Sequence, residues 1–395
     1  MDRIDKKIFG TLFFSIFITV TGVGIVVPLL PVYAHHAGAS GFAIGLIFGS
    51  FSLSRTIFTP YFGRWSDRRG RKPLIVLGLL AYALIAALFL LFSGVTSLIV
   101  IRFFQGIASA ALMPVIQAYV GDITPHGREG VTLGCFNFAL FLGLGFGPLI
   151  GGSVQDAWGL RAAFAAMGVL SCIGGLMAQF FLPPTSAERV IRTFKPLVSW
   201  NRLISDREII GLFTFRFGYT FGIGSIWGFL PVLADTEHRL SGTATGSILM
   251  LGVLLSGITQ IPMGLVADRL DKRRLIGLGG VVICLSLAAI GCARSYAELV
   301  AANVFFGISG GICMAAHMAL AVQKGGCMNC MGSVMAILTV AHSTGMMAGA
   351  LISGLAMDWF SVRIVFPMGT LVMLICMLIF FIGSGRRLEA TAGAN

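Results

Sequence analysis

This chain of 395 residues contains few charged residues. Only 11% of its residues are Asp, Glu, Lys or Arg, whereas 56% are hydrophobic, and the mean hydropathy is +0.91. A soluble domain carries roughly a quarter charged residues. Uncharged stretches of about 20 residues, the length that crosses a bilayer as a helix, recur along the whole chain. The shortage of charge therefore excludes a soluble globular protein and predicts an all-α membrane protein.

The apolar stretches define twelve predicted transmembrane spans. Their bounds are 8–34, 42–62, 74–94, 98–120, 131–154, 162–182, 209–233, 243–265, 275–293, 297–320, 332–357 and 364–383. Lys6 and Lys7 precede the first stretch, as basic residues precede the apolar region of a signal peptide. That region is only about 7–15 residues long in a signal peptide. The first stretch is longer, so we predict a retained span.

Motifs for catalysis and cofactor binding are also missing. The sequence has no G-x-x-x-x-G-K-[ST] loop, no Ser/His/Asp constellation and no set of metal ligands. Six of the eight cysteines lie in or beside spans, and the other two form the motif CMNC, Cys327 to Cys330. A zinc site needs two further ligands nearby, which that loop lacks. We expect no enzyme activity, no cofactor and no metal.

The net charge is +12, and the Lys and Arg residues that cause it lie mostly on one side of the predicted membrane. With the N-terminus inside, 21 of the 28 Lys and Arg residues fall in cytoplasmic segments, four on the opposite side and three within spans. This asymmetry is the positive-inside rule, and it predicts that both termini are cytoplasmic. The basic balance thus reflects insertion into the inner or plasma membrane, with the lipid bilayer and not nucleic acid as the partner.

The chain is duplicated. GRWSDR at 63–68 corresponds to GLVADR at 264–269, and Gly106 and Trp158 correspond to Gly307 and Trp359, all at an offset of 201. Two like-oriented six-helix bundles are predicted, 1–182 and 209–395, joined by a cytoplasmic linker at 183–208. Parallel repeats of this kind place a binding site at the bilayer midplane and operate by rocking.

The glycine-rich stretch GLGFGPLIGG at 143–152 has two possible explanations: a phosphate-binding loop or a helix-packing surface. It lies in an uncharged span, and no acidic residue follows at the spacing of a ribose contact. Gly143, Gly147 and Gly151 recur every four residues, which aligns them on one helix face. We predict a packing surface that also contains Pro148 and Gly152.

Three motifs together resemble the major facilitator superfamily. GRWSDRRGRKP (63–73) is similar to its loop between spans two and three, and RFFQG (102–106) to the Arg motif of its fourth span. GLGFGPLIGG is similar to the fifth-span motif of its drug–proton exporters. The resemblance implies a twelve-helix transporter that acts as a monomer and exports a small molecule in exchange for protons.

The resemblance further implies that the loop motif closes the cytoplasmic side. The residues of this predicted gating loop are Gly63, Asp67, Arg68, Gly70, Arg71 and Lys72, with Asp268 and Arg269 in the second repeat. Asp67 is expected to join a charge-assisted network with the neighbouring cations, while the glycines permit close approach and a tight turn. The alternative is a solvated basic loop that serves only topology.

Polar residues inside spans indicate a pathway, because they are costly in lipid. At about 100° per residue, spans four, seven and ten each present a polar face. The predicted substrate and proton pathway consists of Arg102, Gln105, Gln117, Arg216, Tyr219, Asn303, His317, His342 and Arg55. The superfamily lines its central cavity with spans one, four, seven and ten.

Several of these residues have a second interpretation. Arg102 could snorkel to the interface, although its motif favours a gating or proton-linked role. Snorkelling and substrate contact are both open for Arg55 and Arg216. His317 and His342 are either titrating groups or buried, hydrogen-bonded imidazoles.

All sixteen acidic residues map to loops or span ends. Exporters of cationic drugs commonly keep a carboxylate in the membrane, so its absence indicates an anionic, zwitterionic or neutral amphipathic substrate. Proton coupling would then fall on His317, His342, Asp122 or Glu298. The alternatives are an importer or uniporter of organic anions, and a transporter-like sensor or assembly protein without flux.

Overall fold

The computed structural model describes residues 6–123, 129–183, 205–328 and 330–384. Of the predicted linker, 184–204 lie outside the described residues, as does the side chain of Asp122. Within these ranges the structure is helical, without strands. The helices are α1 (Lys6–Val26), α2 (Leu29–His36), α3 (Gly41–Arg69), α4 (Lys72–Leu91), α5 (Val95–Ile123), α6 (Glu129–Trp158), α7 (Leu160–Phe181), α8 (Arg207–Thr236), α9 (Gly242–Arg269), α10 (Lys272–Cys292), α11 (Tyr296–Cys327), α12 (Met331–Trp359) and α13 (Val365–Ser384).

Twelve segments of the described chain are long and apolar enough to cross a membrane, which confirms the predicted fold class. The first span comprises α1 and α2, interrupted at Pro28, and each of the next ten spans is one helix. The twelfth span begins with a 3₁₀ turn, Val362–Ile364, that leads into α13. Several helices run past the predicted span ends. α3 continues to Arg69 and α11 to Cys327, since polar residues prolong a helix beyond its apolar part without breaking the backbone hydrogen bonds.

Local sequence signals fix the helix ends. The side chains of Ser40, Asp271 and Ser295 accept hydrogen bonds from the first turns of α3, α10 and α11, as N-cap residues do. Gly70 and Gly159 have φ angles of +87° and +83°, a conformation that favours glycine, and each starts a new helix after a tight turn.

Contacts between Cα atoms divide the chain into two compact units. Unit 1 comprises Met1–Arg192 and Pro231–Leu254, and unit 2 comprises Thr193–Leu230 and Leu255–Asn395. The C-terminal end of α8 and the N-terminal part of α9 therefore belong to unit 1. These units are not the bundles derived from the repeat, whose boundaries remain a prediction.

The duplication is visible in the helix pairings. In unit 1, α4, the third span, packs on α5 and α7, the fourth and sixth spans. In unit 2, α10, the ninth span, packs on α11 and α13, the tenth and twelfth. The same partners thus recur at the same places in each repeat, as a duplicated sequence requires. Close packing of α1 on α6 and of α3 on α5 completes the core of unit 1.

Candidate functional site

Arg102 lies inside unit 1 with 2% of its surface exposed. Its Nε donates to the carbonyl of Ile47 at 3.3 Å, and its Nη1 donates to Oε1 of Gln105 at 2.7 Å. The guanidinium lies 5.1 Å from the ring centre of Phe48 and 4.5 Å from that of Phe51. Neutral acceptors and aromatic faces therefore orient this charge, and its burial argues against snorkelling.

Tyr82 connects Arg102 to a second arginine. The tyrosine is 1% exposed, hydrogen-bonds Ser109 of α5, and interacts electrostatically with both Arg55 of α3 and Arg102 of α5. Gln105, the hydrogen-bond partner of Arg102, is fully buried, and its Nε2 has no hydrogen-bond partner among the described atoms. Three helices thus bring together two guanidinium groups, a phenol and an amide that still has donors to offer.

Where the structure describes them, the acidic residues lie near helix ends or between helices. Every Asp or Glu that falls within a described helix lies within two residues of one end of that helix. Neither Arg102 nor Arg216 of α8 forms an ion pair with a carboxylate in the described structure.

In unit 2, Arg216 of α8 extends between two other helices. Its Nη1 contacts Sδ of Met314 at 2.6 Å, and its Nη2 lies 3.3 Å from Nδ1 of His342. Because a guanidinium only donates, His342 accepts this hydrogen bond through a neutral imidazole. The pair joins two residues of the predicted pathway, from spans seven and eleven.

His317 has a different environment, although it lies in the same unit. It is fully buried, stacks on Phe215 at 5.7 Å between ring centres, and donates from Nε2 to the carbonyl of Leu212 at 2.9 Å. Its Nδ1 is buried without a hydrogen-bond partner among the described atoms. A protonated ring would leave that N–H without an acceptor, so the neutral, structural form is favoured.

Tyr219 and Asn303 are also buried in unit 2, with 7% and 2% of their surfaces exposed. The ring of Tyr219 stacks on Phe306 at 5.8 Å between centres. A Cβ at Gly310 would lie 2.5 Å from the hydroxyl oxygen of Tyr219, so this glycine makes room for the tyrosine. Gln117 of α5, by contrast, is exposed.

The loop motif forms a compact local network. Nη1 of Arg71 forms an ion pair with Asp67 and donates to Oγ of Ser66 at 2.5 Å, and Arg71 is buried. Gly70 provides the turn, whereas a Cβ at Gly63 would have open space around it among the described atoms. Arg68 and Arg269 are exposed, Lys72 is half-buried, and the side chain of Asp268 lies outside the described residues.

The fifth-span glycines pack against α1. A Cβ at Gly147 would lie 2.6 Å from Cα of Gly24, and one at Gly143 would lie 2.9 Å from the carbonyl oxygen of Phe17. A Cβ at Gly151 would likewise collide with the backbone of Ile25. The four-residue stripe therefore serves the contact between the first and fifth spans inside unit 1.

The other face of the motif packs against α9, within the part of that helix that belongs to unit 1. Gly152 lies directly against Gly242, and Gly246 against Pro148. One turn beyond Gly152, the carboxylate of Asp156 accepts hydrogen bonds from the backbone N–H groups of Gly242 and Thr243, at 2.9 and 2.8 Å. The Thr243 hydroxyl donates to it at 2.6 Å. Our sequence reasoning missed Asp156, although it continues the spacing of Pro148 and Gly152.

A second network that the sequence did not reveal lies at the start of α8. Nζ of Lys324 is 2.7 Å from Asp206 and 3.0 Å from Glu208, and Arg273 is 3.5 Å from Glu208. Glu208, Arg273 and Lys324 border a cavity of about 260 Å³. Its lining consists of Glu208, Leu270, Asp271, Lys272, Arg273, Leu320, Gln323, Lys324 and Cys327.

The cysteines of CMNC lie nearby, with Cys327 exposed and Cys330 buried, both as free thiols. In the part of the chain that the structure describes, no group of three or more His, Cys, Asp or Glu side chains is arranged to hold a metal ion.

Twelve membrane-crossing helices, a repeated six-span pattern and polar side chains buried inside the spans define a polytopic membrane transporter. Its sequence matches the family model described as Major Facilitator Superfamily at residues 12–237 and 212–394, so the chain belongs to that superfamily. This match confirms the resemblance of the three motifs to the superfamily. The chain is accordingly a transporter of small molecules and not an enzyme.

Relatives and solved structures agree with this membership. An uncharacterized MFS-type transporter of Methanocaldococcus jannaschii is 28% identical over 91% of this chain and 93% of its own length. Multidrug resistance protein 2 of Bacillus subtilis is 27% identical over 72% of each chain. The crystal structure of the human organic anion transporter MFSD10 (TETRAN) shares the fold, with a TM-score of 0.68 and 17% identity over 96% of this chain and all of that one.

Proposed function

We propose that this transporter is a proton-coupled exporter of a small anionic or amphipathic organic compound, working by alternating access. It acts as a monomer in the inner or plasma membrane, with both termini in the cytoplasm. The observation that carries the proposal is that two arginines within the spans, the buried Arg102 and the half-buried Arg216, form no ion pair with a carboxylate in the described structure, where the acidic residues within helices all lie at helix ends.

The charge pattern supports an anionic substrate. An arginine stays protonated in a protein, so burying it in the membrane is costly until an opposite charge arrives. In unit 1, Arg102 contacts the carbonyl of Ile47, the amide oxygen of Gln105 and the aromatic rings of Phe48 and Phe51, and none of these groups carries a negative charge. A cationic compound would meet repulsion there, whereas an anion would find attraction.

Two of the comparisons support the direction of transport and the class of substrate. The B. subtilis relative is named a multidrug resistance protein, which favours export of organic compounds. MFSD10, whose fold the chain shares, is described as an organic anion transporter, and this description supports an anionic substrate. Export in exchange for protons is consistent with the fifth-span motif, which the chain has only in the first repeat.

The decisive measurement is transport by purified protein in proteoliposomes with an imposed pH gradient. We expect Arg102→Ala to abolish coupled transport while the protein still folds, because the guanidinium contacts side chains that remain packed without it. Arg161→Ala, an exposed arginine at the start of α7, is the matched control and keeps wild-type flux. Wild-type activity of Arg102→Ala would refute the assignment.

The same vesicles separate the alternatives. Flux that persists without a pH gradient identifies a uniporter, and uptake driven with the proton flow identifies an importer. Ligand binding without any flux identifies a sensor or assembly protein.

We assign proton coupling to His342. Its Nδ1 accepts a hydrogen bond from Arg216, so this nitrogen can take up a proton only if that bond is broken. We expect His342→Gln to retain substrate binding but lose the pH dependence of transport between about pH 5.5 and 8. His317→Gln is the comparison, and we expect it to lower thermal stability and keep the pH profile. A pH profile unchanged in His342→Gln would contradict this role.

A further inference from the structure

We propose that Arg55, Tyr82, Arg102 and Gln105 form a carboxylate-binding site inside unit 1. This inference rests on the proposed export of an anionic compound, and it assigns the anion to named side chains. Tyr82 was not among the residues expected from the sequence, and Arg55 had an alternative explanation as a snorkelling side chain.

The arrangement of Gln105 gives the first argument. Its Oε1 accepts from Arg102 at 2.7 Å, which fixes the orientation of the amide and turns its NH₂ group away from that arginine. Nε2 is then a fully buried donor with no partner among the described atoms. A buried donor without an acceptor is unfavourable, so the position is suited to a ligand that supplies one.

The surrounding groups give the second argument. Arg55 and Arg102 interact with the same tyrosine from two helices, and Phe48 and Phe51 shield Arg102 from water. Two guanidinium groups, an amide NH₂ and a phenol offer many donors, and none of the four carries a negative charge while Tyr82 is protonated. A carboxylate matches the forked geometry of a guanidinium and has lone pairs for further donors.

Position distinguishes two sources of such an anion. Arg55 lies seven residues inside the predicted end of the second span at 62, about 10 Å along the helix, whereas Arg102 and Gln105 are 2% and 0% exposed. A lipid headgroup does not reach side chains that are enclosed between helices, so we assign the site to the carboxylate of an organic compound.

The test measures binding to the full-length protein in nanodiscs of phosphatidylcholine. The probes are 2-naphthoate, 2-naphthamide and 2-naphthylmethylammonium, which share an aromatic body and differ in charge. We expect 2-naphthoate alone to raise the melting temperature, with a dissociation constant measured by calorimetry.

Gln105→Glu is the principal variant, because it supplies a carboxylate to Arg102 at almost unchanged volume. We expect it to fold with an equal or higher melting temperature and to bind 2-naphthoate at least tenfold more weakly. Gln179→Glu, on the exposed surface of α7, makes the same charge change and is expected to bind as the wild type.

Tyr82→Phe removes only the phenol oxygen, and we expect a loss of three- to tenfold in affinity for 2-naphthoate. Tyr61→Phe, at a tyrosine that is 67% exposed, is its control. Arg55→Gln is expected to weaken binding at least tenfold.

Three outcomes would overturn the site. Preference for 2-naphthoate that survives both Gln105→Glu and Arg55→Gln places the anion elsewhere, and the proposed function then stands without this site. Stabilisation by the ammonium probe alone overturns the anionic substrate class itself. A loss of 2-naphthoate binding only when phosphatidylglycerol is added to the nanodiscs reassigns the site to a lipid.

Discussion

Asp206 links two helices through one side chain. Its Oδ1 accepts from the backbone N–H groups of Glu208 and Ile209, at 3.0 and 3.2 Å, which caps the start of α8. Its Oδ2 lies 2.7 Å from Nζ of Lys324 at the far end of α11. Burial by itself would raise the pKa of Asp206, but the hydrogen bonds from Lys324 and from the backbone outweigh burial and lower the pKa below its ordinary value.

A lowered pKa in the folded state has a definite sign for stability. The unfolded chain holds the proton more tightly, so Asp206 stabilises the fold above the ordinary Asp pKa of about 3.9. This contribution is lost as the pH falls through the lowered pKa. We expect Asp206→Asn to reduce the melting temperature at pH 7, and the gap to the wild type to narrow as the pH falls below about 4.

Melting curves of both proteins from pH 7 to pH 3 check this prediction. Asp271→Asn is the control, because that aspartate caps α10 but has its ion pair with Arg274 in an exposed position. A gap that stays constant with pH would show that Asp206 acts only through its backbone cap.

At the scale of the element, α6 has two packing faces. Gly143, Gly147 and Gly151 let α1 approach, and Pro148, Gly152 and Asp156 meet α9. The second repeat keeps the first face only in part. Gly345 and Gly349 of α12 pack closely on Phe217 and Phe221 of α8. The pairing of first and fifth spans is therefore repeated without the Gly-Pro motif.

Asp156 caps α9 from a neighbouring helix. An N-cap lost to alanine costs about 0.5–2 kcal/mol, so we expect Asp156→Ala to lower the melting temperature by a few degrees. Asp156→Asn keeps an acceptor oxygen and should recover part of the loss. Ser241→Ala removes the local cap, where Oγ of Ser241 accepts from Ala244 at 3.2 Å, and provides a comparison on the same helix. Equal stability of Asp156→Ala and the wild type would refute a capping role.

At the scale of the whole molecule, the placement of Lys and Arg predicts the orientation in the membrane. We expect the segment at 237–241 to be extracytoplasmic and the C-terminus and the turn at 270–271 to be cytoplasmic. Fusions of a reporter that fluoresces only in the cytoplasm, and of one active only outside it, test each position. Activity of the outside reporter at the C-terminus would contradict the predicted topology.

The fold was predictable because its signals are local. Span length depends on a run of apolar residues, and the repeat depends on an offset of 201 that can be counted in the sequence. The loop motif was predictable for the same reason, since Asp67 and Arg71 are one helical turn apart. Contacts between distant residues were less accessible. Asp206 and Lys324 are separated by more than a hundred positions, and nothing in either segment refers to the other.

Helical periodicity could place Arg102 and Gln105 on one face, yet it could not show that Tyr82 of another helix joins them. His317 and His342 looked alike in the sequence, and the structure separates them by their partners, the Leu212 carbonyl and the Arg216 guanidinium. The sequence by itself determined the twelve spans, the duplication and the superfamily, because hydropathy and short motifs act over neighbouring residues. Only the tertiary structure decided which buried polar groups meet, because hydrogen bonds and ion pairs require a few ångströms between atoms that the chain order leaves far apart.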